Sequence, residues 1–227
     1  MIKELLSVFT KNSLMDRAYQ QSFEMLDMTQ EMFLKSKNIL RESDTNEPDL
    51  SINDQDSAVN RFQRNVRKDV FNHLTMSGTD ELASGLVLVS IVIDLERIGD
   101  HTKNIADLAA TFEKRLQAGI FEERLVKIEN AVKEKFERVI KCFKDSDVED
   151  GLEILGDYKW INAECEEIVV ELIKDKELGF DSGTAVALSA YLRELKRINS
   201  HLKNVATSVV NPFHRIGFKV KKKHLPE

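Results

Sequence analysis

The sequence predicts an all-α protein made of two tandem, homologous, antiparallel three-helix bundles. Segment 94–106 recurs 100 residues later as segment 194–206 with seven identical positions, and such repetition indicates two similar modules. The 227 residues include only nine glycines and three prolines, a composition that favours long helices over strands and tight turns. Apolar residues between the few breaks recur at helical spacing, which supports the same fold class.

Three helices are predicted in the first half, at about 12–41, 49–76 and 80–114. Asn12 or Ser13 can cap the first of them, because either side chain can accept a hydrogen bond from the first helical turn. Short connections favour antiparallel neighbours, so these three helices are expected to form one bundle.

The second half has the same plan, with helices at about 122–143 and 146–175 and a last helix that ends at Val210 before Pro212. Ser146, with a glutamate three residues later, resembles a capping box that opens the middle helix. The two bundles are expected to be joined or packed end to end.

Gly119 marks the junction between the halves, so the first repeat is predicted at 1–118 and the second at 119–212. Residues 213–227 then form a basic tail, which carries one arginine and four lysines before Leu225 and no acid among them. Two roles stay open for this tail: peripheral contact with anionic lipid or an acidic partner surface, or solubility alone.

The composition excludes several classes of protein. A formal net charge of −6 argues against a general nucleic-acid binder, and no apolar run approaches the roughly 20 residues needed to cross a bilayer. The first residues lack the apolar core of a secretion signal. The two cysteines, Cys142 and Cys165, lie in unrelated helical contexts and are expected to be reduced core thiols. The chain is therefore predicted to be cytoplasmic.

Helical spacing also predicts the core face of the last helix in each repeat. Neither set of apolar residues is given a ligand role. The predicted core positions are Ile91, Leu95, Ile98, Thr102, Ile105 and Ala109 in the third helix and Leu188, Leu192, Leu195, Leu202 and Val205 in the sixth.

Two pairs of oxygen-bearing residues form the candidate site. Glu96 and Asp100 are four apart on the third helix, which places them on one face about 5–6 Å apart at Cβ, and Asp56 and Asn60 have the same spacing on the second. Counted from the turn at Gly78, the two pairs are equally far along an antiparallel hairpin. A hard cation bound by both pairs would relieve the repulsion between the carboxylates, so the sequence predicts a metal site.

A solvated helix face is the alternative, with Arg97 and Lys103 neutralising the acids. Asn104 and Asp107 extend the same polar stripe. His101 could donate a metal ligand, but its counterpart is retained where the carboxylates are lost, which favours a structural role. An acid and an arginine three residues apart in each copy suggest retained ion pairs, namely Asp94–Arg97 and Glu194–Arg197. No phosphate loop, nucleophile elbow or HExxH motif is present, so no enzyme is predicted.

The segment Asp94-Leu-Glu-Arg-Ile-Gly-Asp-His-x-x-Asn-Ile-Ala resembles the signature of the PhoU family, regulators of phosphate uptake, and the tandem three-helix plan extends the resemblance over nearly the whole chain. The resemblance implies a cytoplasmic, non-enzymatic, often dimeric protein that contacts a phosphate-transporter ATPase and a membrane sensor kinase. It also implies that E/DxxxD motifs bind metal in some members, with iron, zinc, manganese or magnesium.

Within this resemblance, the third-helix motif corresponds to Glu96 and Asp100, and the second-helix motif to Asp56 and Asn60, where an asparagine replaces the usual acid. In the second repeat the motif positions hold no acid, so at most one metal-competent site is expected, in the first repeat. The replacing residues are Lys196, Ser200, Tyr158 and Asn162.

The start of the chain and its basic tail depart from the common pattern, which suggests a divergent relative that serves a sodium–phosphate cotransporter. Three functions are thus distinguished: a phosphate-uptake regulator with a metal site, a metal-free helical scaffold or adaptor, and, least favoured, a metal-dependent hydrolase.

Overall fold

The computed structural model describes residues 13–43, 50–77, 81–112, 114–174 and 179–220, and all regular structure in these ranges is helical. Three features named from the sequence lie outside them. They are the alternative cap Asn12, the turn at Gly78 and the tail lysines 221–223.

The first repeat consists of helices α1 (Leu14–Glu42), α2 (Leu50–Ser77) and α3 (Leu82–Phe112), each in contact with the other two. Helix α1 is capped by Ser13, whose hydroxyl accepts from the Asp16 N–H at 3.0 Å while the Asp16 carboxylate accepts from the Ser13 N–H at 3.2 Å. This reciprocal capping box satisfies two backbone donors that the helix itself leaves free. Of the two predicted caps, Ser13 is the one used.

The second repeat follows a single 3₁₀ turn, Gly119–Phe121, in which Gly119 has φ +55°. A backbone of this kind favours glycine, and a Cβ there would also lie 3.0 Å from the Phe180 ring. The repeat contains helices α4 (Glu122–Asp145), α5 (Val148–Asp157), α6 (Ile161–Lys174) and α7 (Ser182–Val210). Two predictions for this half are wrong.

The middle helix predicted at 146–175 is in fact α5 and α6, separated by a turn at 158–160. The Tyr158 side chain is buried at this break, and Gly156 precedes it by two residues in the last turn of α5. The predicted cap Ser146 instead closes α4 in a left-handed conformation, φ 54°. Asp147 caps α5, because its carboxylate accepts from the Glu149 and Asp150 N–H groups at 3.0 Å each.

The two repeats lie side by side, not end to end. Helix α1 packs antiparallel against α4, with Phe33 stacked on Phe136 at a ring-centroid distance of 5.4 Å and Phe23 edge-on to Phe143 at 5.3 Å. Helix α3 packs antiparallel along α7. Corresponding helices of the two repeats therefore form a four-helix inner layer, with α2 on one flank and α5–α6 on the other.

One hydrophobic core runs through both repeats. All eleven predicted core positions of α3 and α7 are buried in it, which confirms the helical stripes. Both cysteines are free and buried, and burial raises the pKa of each thiol to about 12, so they are inert core residues. None of the helices in the described ranges is long and apolar enough to cross a membrane.

The chain beyond α7 folds back onto that helix. Gly217 N–H donates to Thr207 Oγ1 at 2.7 Å, and the Asn211 amide donates to the Phe218 carbonyl at 2.9 Å. Hydrogen bonds thus hold the first residues of the predicted basic tail against the second repeat.

A buried ion pair joins α1 to α4. Arg41 Nε donates to Glu129 Oε1 at 2.9 Å, and the same guanidinium binds Glu122 and the Leu116 carbonyl at the junction. Tyr191 of α7 donates to the same Glu129 oxygen at 2.8 Å. Three helices and the linker therefore meet at one buried charge.

We expect Arg41→Leu to lower the free energy of unfolding by about 3–5 kcal/mol, because Glu129 would stay buried without its cation. Lys144 is a matched control, since it joins the same two helices through Asp27 but is 37% exposed, against 7% for Arg41. Lys144→Leu should cost only about 0–1 kcal/mol. Equal losses in urea unfolding would contradict the assigned role of the buried pair.

Candidate functional site

The predicted acidic residues of α2 and α3 do converge. The pKa of Glu96 is raised, first because the side chain is largely buried and then because Asp100 and Asp56 place negative charge nearby. Glu96 Oε2 is buried and accepts no hydrogen bond, and Arg97 Nε lies 3.6 Å from it. A buried carboxylate oxygen without a donor is costly, and the cluster is therefore strained electrostatically.

Two cations partly neutralise the cluster, as the solvated-face alternative expected. Arg97 Nη1 donates to Asp100 Oδ2 at 2.8 Å, and Lys103 Nζ lies 3.4 Å from Asp56 Oδ2. The Asn60 amide turns back along its own helix, 3.1 Å from the Asp56 carbonyl oxygen and 3.4 Å from Asp56 Oδ2. Glu96 is thus the acid with the poorest compensation.

The register of α2 against α3 differs from the predicted one. Val59 lies against Gly99, where an added Cβ would be 3.4 Å from Val59 Cγ1, whereas a count from Gly78 pairs Gly99 with residue 57. Helix α2 ends at Ser77 and α3 begins at Leu82, so the midpoint between the two helices lies beyond residue 78. A count from Gly78 therefore misplaces the residues of α2 relative to those of α3 by part of a helical turn. The acids nevertheless remain close enough to raise the pKa of Glu96.

The donor set fits a hard cation in chemistry, because it offers an amide and three carboxylates, one of which has an orphaned buried oxygen. Glu96, Asp100 and Asp56 are the residues that would hold it. As the side chains lie in the part of the chain that the structure describes, no group of three or more His, Cys, Asp or Glu could hold a metal ion. A bound cation would compete with Arg97 for the Asp100 carboxylate and with Lys103 for the Asp56 carboxylate.

The matching region of the second repeat contains hydrogen bonds between neutral side chains together with two lysines. Asn162 donates to Ser200 Oγ at 3.0 Å, and Asn199 donates to Asn162 Oδ1 at 2.9 Å. The buried Lys135 donates to the Asn199 carbonyl at 2.9 Å and to its Oδ1 at 2.7 Å. Lys196 pairs with Glu166 on the adjacent helix. A lysine, Lys196, thus stands where the first repeat has Glu96.

The repeated motif forms a reciprocal contact between α3 and α7, which sequence reasoning missed. His101 Nδ1 lies 2.6 Å from Glu194 Oε2, and Asn104 donates to the same oxygen at 3.3 Å. The equivalent residues of the other repeat make the same contact: His201 Nδ1 lies 2.7 Å from Asp94 Oδ1, and Asn204 donates to that oxygen at 2.8 Å. The two imidazole rings face each other with centroids 5.4 Å apart.

This contact corrects two interpretations and confirms a third. Asp94 and Glu194 bind the opposite repeat, so the expected pairs Asp94–Arg97 and Glu194–Arg197 do not form. Asn104 belongs to the contact and not to the metal stripe, and His101 has the structural role that was favoured. The duplication contained a signal for this contact. Both copies of the motif have an acid at its first position, the histidine and the asparagine, whereas the second copy lacks counterparts of Glu96 and Asp100.

Comparison with known proteins agrees with this architecture. The sequence profile described as the PhoU domain matches residues 23–109 and again residues 125–209, one match in each helical repeat. The matches cover more than half of the chain, and the chain belongs to the PhoU family, as the repeated motif predicted.

Two solved structures share the fold. PhoU from Pseudomonas aeruginosa superimposes with a TM-score of 0.74 at 19% identity, covering 87% of this chain and 95% of that one. The phosphate transport system regulatory protein PhoU from Streptococcus pneumoniae gives 0.76 at 19% identity, covering 86% and 93%. An uncharacterized protein from Deinococcus radiodurans is 27% identical over 131 residues, 56% of this chain, and the match spans about half of that relative, 46%.

We expect Lys135 to make the stability of the chain depend on pH. Burial, with a smaller contribution from Lys203, lowers the pKa of Lys135 from 10.5 to about 7. Between those values the unfolded chain binds a proton that the folded chain does not, so the free energy of unfolding rises with pH, by up to about 1.4 kcal/mol per pH unit. Below pH 7 both states are protonated and this dependence ends.

Lys135→Met should remove this rise, measured by urea unfolding from pH 7 to pH 10. The exposed neighbour Lys133 provides the control, and Lys133→Met should follow the wild-type profile. An unchanged slope in Lys135→Met would show that the buried amine is not the source.

Proposed function

We propose that this chain is a cytoplasmic regulator of phosphate uptake that acts through protein contacts and holds a metal ion in its first repeat. Membership of the PhoU family carries the regulatory part, since proteins of this family are generally regulators of phosphate transport. The acidic cluster around the orphaned Glu96 oxygen supports the metal part.

The proposed ligands are Glu96, Asp100 and Asp56, with Asn60 as a neutral oxygen donor. Oxygen ligands of this kind suit magnesium and manganese, and the family resemblance adds iron and zinc as candidates. A bound cation would lower the pKa of Glu96 again by replacing the repulsion of its neighbours with attraction. Arg97 and Lys103 would then have to leave the carboxylates they now contact.

The proposed partners are a phosphate-transporter ATPase, a membrane sensor kinase or a sodium–phosphate cotransporter, with the chain acting as a homodimer. A group of exposed apolar side chains supports a protein-contact mechanism, because such groups on a protein surface mark sites of interaction. At the end of the α2–α3 hairpin these are Phe71, Met76, Leu82 and Leu86.

A metal-free scaffold is the second candidate, and one observation favours it. Arg97 and Lys103 already neutralise Asp100 and Asp56, so much of the negative charge has a protein partner without any ion. In that case the acidic cluster would serve as a docking surface.

Glu96→Gln separates the two candidates. Protein purified from its own phosphate-replete cells should contain metal by elemental analysis in the wild type and none in Glu96→Gln. The apo variant should be as stable as the wild type or more so, by about 0.2–0.5 kcal/mol, because a like-charge pair is removed. Glu123→Gln, at an exposed position of α4, should retain the metal.

The same purification tests the regulatory role. Subunits of a phosphate transporter or its sensor kinase should be recovered with the wild type. Absence of metal from the wild type, or its retention in Glu96→Gln, would leave the scaffold as the better account. Recovery of no transport or sensor subunit would overturn the proposed regulation.

A further inference from the structure

A groove of about 1520 Å³ lies between α3, α6 and α7, on the face where the two repeats meet. It lies beside the acidic cluster: Glu96, Asp100 and Asp56 do not line it, but Arg97, which donates to Asp100, does. His101 and His201 of the inter-repeat contact lie in its wall. The volume exceeds the roughly 300–1,000 Å³ of most small-molecule sites, which favours a polypeptide ligand.

The groove carries exposed aliphatic side chains from all three helices. Ile173 of α6 is 77% exposed and Val186 of α7 is 69% exposed, and they are joined by Val170 of α6 and Ile93 of α3. Isolated apolar side chains on a surface need no explanation, but a set gathered along one groove marks an interaction site.

The charge of the groove is opposite to that of the chain. Its lining holds four permanent cations and two carboxylates, whereas the chain as a whole has a formal charge of −6. Both carboxylates are engaged, Glu166 by Lys196 and Glu194 by His101. Arg193 and Arg197 are exposed and form no ion pair with any residue in the described ranges.

These two arginines are four residues apart on α7, so their guanidinium groups project from one face. Like charges at that spacing repel, and carboxylates of a partner would relieve the repulsion while forming charge-assisted hydrogen bonds. An aliphatic surface beside such a pair matches one kind of ligand, a helix that is apolar along one face and acidic at its edge.

We propose that this groove docks an acidic amphipathic helix of a partner protein, whose apolar face covers Ile173, Val186 and Ile93 and whose carboxylates pair with Arg193 and Arg197. The inference rests on the proposed function only in that the chain acts through protein contacts. A second copy of the chain is a poor occupant, because a two-fold contact through this groove would set the two arginine pairs against each other.

The test uses the full chain and a fluorescein-labelled designed helical peptide with leucines on one face and glutamates along its edge. Fluorescence anisotropy should show binding that is at least about tenfold weaker for a peptide of the same apolar face with glutamine in place of glutamate. The double variant Arg193→Glu, Arg197→Glu should lose about the same factor, and so should Val186→Asp.

Matched controls lie outside the groove. Arg64→Glu, at an exposed position on the outer helix α2, and Val126→Asp, at an exposed position on α4, should bind as the wild type does. Thermal unfolding checks that each variant is folded. Equal binding of the glutamate and glutamine peptides, or unchanged binding by the double arginine variant, would overturn the proposal.

Two other results would also overturn it. One is binding to vesicles of phosphatidylglycerol that is lost in the double arginine variant while the peptide does not bind. The other is self-association that depends on the same arginines. Failure of the proposed function remains distinguishable, because it appears as loss of transport or sensor subunits from the purification whether or not the peptide binds.

Discussion

The crossing of α3 and α7 is the contact on which the remaining architecture depends. Each helix supplies an acid to the other and receives a histidine and an asparagine in return, so neither half of the contact can form unless the two repeats lie side by side in antiparallel register. The phenylalanines between α1 and α4 and the buried Arg41–Glu129 pair complete the same inner layer. One continuous core follows, with α2 and α5–α6 left on the flanks.

This arrangement explains which positions differ between the two copies of the motif. Residues that form the reciprocal contact between α3 and α7 occur in both copies, whereas residues that face the flanking helix of each repeat differ between the copies. Glu96 and Asp100 face α2 and form an acidic cluster with Asp56, while Ser200 bonds to Asn162 and Lys196 pairs with Glu166. The contact between the repeats is therefore common to both copies, whereas the side facing the outer helix is acidic in the first repeat and carries Lys196 and neutral side chains in the second.

Much of the fold could be predicted because its signals are local. Apolar spacing gave the buried stripes of α3 and α7, and adjacent cap residues gave the start of α1 at Ser13. The break at 158–160 has only a weak local signal, the single Gly156 two residues before it, and the burial of Tyr158 at the break is a tertiary contact. The cap at Asp147 was missed because Ser146 beside it is an equally good cap in isolation.

The candidate site was predicted in part for the same reason. Spacing along one helix pairs Glu96 with Asp100, but the exact register of α2 depends on a turn whose centre one sequence does not reveal. The two acid–histidine contacts join residues that are far apart in the chain, separated by 93 positions in one case and by 107 in the other. No local pattern encodes such contacts. Retention of these residues in both copies was the indirect signal, and it points to the interface only once the two repeats are known to face each other.

The most direct measurement is a double-mutant cycle on Asp94 and His201, from urea unfolding of the wild type, Asp94→Ala, His201→Ala and the double variant. If the reciprocal contact holds the repeats together, the two residues should couple by about 0.5–3 kcal/mol, and the equivalent cycle on Glu194 and His101 should give a similar value. Additive losses in both cycles would contradict the account.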